Sequence, residues 1–127
     1  NTLLEDYVQR VQKAKEKSAI SGQIKRICDY IAIHIREKLS IAELAEQAGY
    51  TEYYFSHKFK AETGVSVTDY IKREKIRQAK LLLSGTKMSI QEIRDELSFG
   101  SRSYFSSTFQ KETGLSPSEY REQNMKI

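Results

Sequence analysis

Two stretches of this chain repeat one another. Tyr54-Phe55-Ser56, Phe59 and Glu62-Thr63-Gly64 return fifty residues later as Tyr104-Phe105-Ser106, Phe109 and Glu112-Thr113-Gly114. Val65-Ser66 with Asp69-Tyr70 answers Leu115-Ser116 with Glu119-Tyr120. Upstream the offset falls to 49, with Ser40-Ile41 against Ser89-Ile90 and Tyr50 against Phe99. The turn inside the second copy is therefore one residue longer. Self-similarity at a fixed offset marks one supersecondary unit made twice, and any fold must hold both.

The unit reads as two short helices around a tight turn. Ser40 followed by Glu43 is a capping-box start, and Ile41, Leu44, Ala45 and Ala48 recur at helical spacing. Gly49 stops that helix, because glycine adopts the left-handed C-terminal conformation without a Cβ clash. Thr51 caps a second helix, on which Tyr54, Phe55, Lys58 and Phe59 lie one turn apart. Two short helices and a glycine turn make a helix-turn-helix, whose second helix enters a DNA major groove. In the second copy, residues 90–97 form the supporting helix and 101–112 the recognition helix.

The remainder is helical too. Residues 23–38 carry Ile24, Ile27, Cys28, Ile31 and Ile35 on one face, so Cys28 is expected to be a buried, inert thiol. His34 lies beside that stripe with no ligand-spaced Cys or carboxylate, and reads as a boundary residue. Residues 67–83 form a long helix capped by Ser66, burying Tyr70, Ile71, Ile76, Ala79, Leu82 and Leu83. Its other face carries Lys72, Arg73, Lys75, Arg77 and Lys80, against Asp69 and Glu74. Such a face suits phosphates, although ordinary solvation explains any single lysine as well. Pro117 opens a last helix, since a first turn does not need its missing N–H. Leu4, Val8 and Val11 give a narrow amphipathic stripe, the end of a linker or a frayed tail.

Composition narrows the function. With 127 residues, one Pro, no Trp and no sustained period-two pattern, the chain reads as all-α. The expected division is a linker helix over 1–22, one helix-turn-helix over 23–66, a connecting helix over 67–85, and a second helix-turn-helix over 86–127. A net charge of +4 mildly favours a polyanionic partner. One cysteine excludes an internal disulfide and suits a cytoplasmic location. No apolar run approaches a membrane span. Metal-ligand clusters, phosphate-cradling glycine loops and oriented Cys–His pairs are all missing, so an enzyme is not expected and no cofactor is implied. The competing class is a helical protein-interaction or dimerisation module using the Leu4–Val11 stripe or the tyrosines. The chain begins at Asn1 and is expected to be a fragment of a longer protein.

Tyr104-Phe105-Ser106, Phe109, Gly114-Leu115-Ser116-Pro117 and Tyr120-Arg121 resemble the signature of AraC/XylS-type transcription regulators. The helix carrying Arg73, Ile76, Arg77, Ala79, Lys80 and Leu82 resembles the family's connecting helix, and the match covers about residues 23–123. The resemblance implies seven helices in two subdomains and a cytoplasmic bacterial regulator with a separate sensing or dimerisation domain. RNA polymerase is a candidate partner of such a regulator. Two departures stand out. The family places glycine before the aromatic of the second turn, where this chain has Ser98, with Gly100 following Phe99. It also favours alanine at the position of Arg94, whose side chain must then snorkel outward or reach DNA.

With Phe55, Phe59, Phe105 and Phe109 turned inward, the first recognition helix offers Tyr53, Ser56, His57 and Lys60. The second offers Ser101, Arg102, Ser103, Ser106 and Ser107. Arg102 is the leading base reader, because a guanidinium matches O6 and N7 of guanine. His57 is expected to donate to guanine or phosphate, and the resemblance implies that its position reads bases. The serines discriminate weakly and work through water or phosphate. Lys60, Arg73, Lys80 and Lys111 are expected to hold phosphates of a double-stranded operator.

Overall fold

A short polar side chain starts nearly every helix. Ser40, Thr51, Ser89, Ser101 and Ser116 each accept a hydrogen bond from the amide three residues on, satisfying a donor that the first helical turn leaves free. The computed structural model describes residues 20–125, with seven α-helices and no strand among them. They are α1 (Gly22–Ile33), α2 (Ile41–Ala48), α3 (Glu52–Thr63), α4 (Val67–Gly85), α5 (Ile90–Glu96), α6 (Arg102–Thr113) and α7 (Pro117–Asn124). The all-α expectation holds, as does the count of seven. The Leu4, Val8 and Val11 stripe lies outside the described residues.

Contacts divide the chain into two units. The first takes residues 20–30 and Ser40–Val67. Here α2 packs on α3, and Ile24, Ile27, Leu44, Ala45, Ala48, Phe55 and Phe59 are buried. The Phe55 and Phe59 rings meet edge to face at 5.8 Å, each worth about 2–3 kcal/mol of burial. At the far end of α3, the Thr63 hydroxyl donates to the Phe59 carbonyl at 2.8 Å and accepts from the Val65 amide at 3.3 Å. The Glu62 carboxylate accepts from the Ser21 amide at 2.6 Å, tying the start of α1 to the end of α3. Cys28 is half-buried rather than sealed in the core.

The second unit contains residues 68–125 and also Ile31–Leu39. Its core joins Ile76, Ala79, Leu82 and Leu83 of α4 to Ile93, Leu97, Phe99, Phe105 and Phe109. Tyr120 of α7 closes on Phe109 at 5.5 Å, edge to face. Arg121 donates to the carbonyls of Leu83 and Thr86 at 3.0 and 3.3 Å, capping the end of α4 where helix carbonyls have no amide of their own. Thr113 repeats the Thr63 arrangement, donating to the Phe109 carbonyl at 2.8 Å and accepting from the Leu115 amide at 3.2 Å.

Three further sequence expectations are corrected. Residues 23–38 do not form one helix: α1 stops at Ile33 and turns succeed it, although Ile35 is still buried. Lys75 is not on the exposed basic face but is buried, 8% exposed. The Lys75 ammonium donates to the carbonyls of Ile35 at 2.7 Å and Glu37 at 3.0 Å, and to Leu97 at 2.5 Å. A side chain thus serves backbone carbonyls that lie beyond the ends of α1 and α5. Third, Tyr70 and Ile71 are half-buried rather than core residues.

Candidate nucleic-acid interface

The two recognition helices are built alike. Thr51 caps α3 through the Tyr54 amide at 3.2 Å, and Ser101 caps α6 through the Tyr104 amide at 3.1 Å. Phe55 and Phe59 anchor one inward, and Phe105 and Phe109 the other. The opposite face of each helix is therefore committed to solvent by its own periodicity.

The turns before these helices differ by one residue. Gly49 has φ +80° and donates to the Glu46 carbonyl, and Tyr50 donates to Ala45. In the second copy Ser98 has φ +57° and donates to Asp95, and Phe99 donates to Arg94. Ser98 thus fills the left-handed place of Gly49, and Gly100, at φ +87°, is the inserted residue. A side chain in this conformation costs about 1–2 kcal/mol. The Ser98 hydroxyl recovers part of that by donating to the Arg36 carbonyl at 2.7 Å.

On α3, Tyr53, His57 and Lys60 are exposed, and Ser56 is half-buried. The Tyr53 and His57 rings lie 4.1 Å apart, tilted by 38°, and Nδ1 of His57 lies 2.9 Å from the Tyr53 carbonyl. A carbonyl only accepts, so Nδ1 carries the proton. A neutral His57 then presents Nε2 outward as an acceptor, and only the imidazolium donates from that edge. Nε2 is therefore the edge that this contact leaves for DNA.

Lys58, on the same helix, lies 2.7 Å from Glu62. Burial would raise the Glu62 carboxyl, but hydrogen bonds from Lys58 and the Ser21 amide overcome it and hold the group below its ordinary range. That pair braces the helix and leaves Lys60 as the exposed cation of its last turn.

On α6, Ser101, Arg102, Ser103 and Ser107 are exposed, and Ser106 is half-buried. The Ser101 hydroxyl oxygen is engaged as the cap, and Ser107 donates to the Tyr104 carbonyl at 3.3 Å. Arg102 lines a cleft of about 360 Å³ with Arg94, Ser106 and Ser116, over Phe105 and Pro117. No acidic residue lines it. Arg94 stands where the first copy has the buried Ala45; its side chain is 18% exposed and its Nε lies 3.2 Å from Asp95. Lys111 and Arg73 are exposed, and Lys80 is half-buried. Among the described residues no group of His, Cys, Asp and Glu could hold a metal ion, and no helix is long and apolar enough to cross a membrane.

A family model described as a helix-turn-helix domain matches residues 44–123. The arabinose operon regulatory protein of Escherichia coli is 35% identical over 123 residues, which cover 94% of this chain and 42% of that protein. Other curated relatives, helix-turn-helix transcriptional regulators of Staphylococcus aureus, are matched over 15% of their length. The chain therefore spans less than half the length of these relatives. Among solved structures, the C-terminal domain of AraT, a response regulator from Geobacillus stearothermophilus, superposes with a TM-score of 0.81 at 30% identity, covering 87% of this chain and 92% of that one. The DNA-binding domain of AdpA, solved with a target DNA, shares the fold at a TM-score of 0.77 and 23% identity, covering 81% and 93%.

Proposed function

This chain belongs to the AraC family of helix-turn-helix DNA-binding domains, and from that premise we propose that it reads a specific double-stranded operator with both of its heads. Each recognition helix enters a major groove, and the two grooves are successive ones, about 34 Å or one helical turn apart. One observation carries this most directly. A recognition helix with an inward phenylalanine pair and an outward polar face occurs twice.

The base readers are Tyr53, Ser56 and His57 on the first helix, and Ser101, Arg102, Ser103, Ser106 and Ser107 on the second. Arg102 pairs with guanine, and His57 meets guanine or a phosphate through its outward Nε2 edge. Lys60, Arg73, Lys80 and Lys111 neutralise phosphates and set register. Arg94 joins them, because it faces the same acid-free cleft as Arg102. The protein works in the cytoplasm, and a sensing or dimerisation domain accompanies it in the full regulator.

Selection from a random duplex library tests the proposal. Two enriched motifs about one helical turn apart are expected; absence of enrichment, or a single motif, would overturn it. A salt titration separates the rival class of protein-interaction module. Operator binding weakens steeply as salt rises, because released counterions must be taken back up.

A further inference from the structure

The buried amine of α4 has no part in reading DNA directly, yet it sits behind the second head. Lys75 has three donors and uses them on three carbonyls, those of Ile35, Glu37 and Leu97. Among the described residues it pairs with no carboxylate. The surrounding charges are engaged with one another: His34 with Glu37, Arg36 with Glu96, Arg94 with Asp95 and Arg77 with Glu74. Lys38 and Arg73 are exposed.

The held carbonyl matters because the second recognition helix starts a few residues beyond it. Leu97 ends α5, Ser98 takes the left-handed conformation, and Ser101 caps α6. Arg102 is the first residue of that helix. The Ser98 hydroxyl reaches the same tail of α1 through the Arg36 carbonyl. The turn is thus pinned from both sides of one peptide unit.

We propose that Lys75 is a positioning residue for the second recognition helix, its ammonium clamping the Leu97 carbonyl to the tail of α1 and so aiming Arg102 at its base. The inference rests on the DNA-binding reading above. It assigns Lys75 to specificity at one half-site rather than to phosphate contact.

Burial pushes Lys75 down to about 8 from its usual 10.5. Below that value three N–H groups meet three acceptors; above it the amine has two, and one carbonyl is released. Selectivity at the second half-site therefore falls as pH rises through about 8. Global stability moves the opposite way. The unfolded chain binds more protons between about 8 and 10.5, so this group's contribution to stability rises with pH there. A merely structural lysine would show only the second trend.

The experiment measures binding to the selected operator, and to duplexes with either half-site scrambled, for wild type, K75M and K75R between pH 7 and 9. Circular dichroism melts report folding. K75M is expected to lose about tenfold in discrimination at the second half-site, the scale of a lost charged hydrogen bond, with the first unchanged. K75R restores most of it, and K75M flattens the pH profile of the second half-site. Folded K75M that discriminates normally, or that loses both half-sites equally, would overturn the proposal. If K75M does not fold, a flat wild-type profile at the second half-site overturns it as well. Wild type with no selectivity for any duplex would instead remove the DNA reading itself.

Discussion

Ser98 holds the backbone conformation in the second helix-turn-helix that Gly49 holds in the first, at φ +57° against +80°. Nothing lies within 4 Å of a Cβ built on Gly49, so only the backbone resists a side chain there. The second copy accepts that resistance because its serine hydroxyl finds a carbonyl, which glycine could not.

Gly49→Ala is accordingly expected to cost about 1–2 kcal/mol through backbone strain alone. Gly85→Ala, also in open space but not at positive φ, should be neutral or stabilising by up to about 1 kcal/mol. Ser98→Ala keeps the strain and loses the bond to Arg36, costing about 0.5–1.5 kcal/mol. Ser98→Gly loses the bond and relieves the strain, so its melt stays near wild type. Urea unfolding of the four variants checks the order.

Glu62 sets an acid limit on the first unit. Its folded value lies below the ordinary 4.5, so its contribution is complete above that value and is lost as pH falls through the lowered one. Glu62→Ala leaves Lys58 and the Ser21 amide without this acceptor and is expected to cost about 1.5–3 kcal/mol near neutral pH. The variant should lose less stability than wild type on acidification. Denaturant titrations at several pH values below neutrality decide it.

Arg102→Ala is expected to cost about 1–3 kcal/mol on the operator and to relax preference at a single base pair. Lys111→Ala weakens all sequences evenly and lowers the salt slope by about 1. Binding across a panel of single-base operator variants distinguishes the two, and an even loss for Arg102→Ala would end its reading role.

Much of the fold is legible in the sequence because it is written in local chemistry. Caps, glycine stops and phenylalanine spacing act within four residues, and the repeat states them twice. Both Thr63 and Thr113 close their loops with the same bonds. Lys75 is not legible, since a lysine in a basic helical run carries no mark of reaching carbonyls 40 and 22 positions away. The end of α1 is hidden for a different reason: Ile35 keeps the apolar period after the helix has stopped. The donor edge of His57 depends on a carbonyl four residues back, which composition does not reveal. Arg94 stands out in the sequence as a departure, but its shared cleft with Arg102 emerges only in three dimensions.

The placement of Ile31–Leu39 with the second unit has a practical consequence for anyone cutting this gene. A clone opening at Val67 would encode every residue of the second repeat and still lack the backbone oxygens of Ile35 and Glu37 that Lys75 needs. Exchange of one repeat for another between regulators would fail at the same seam unless the short strap preceding the first repeat travelled with the second.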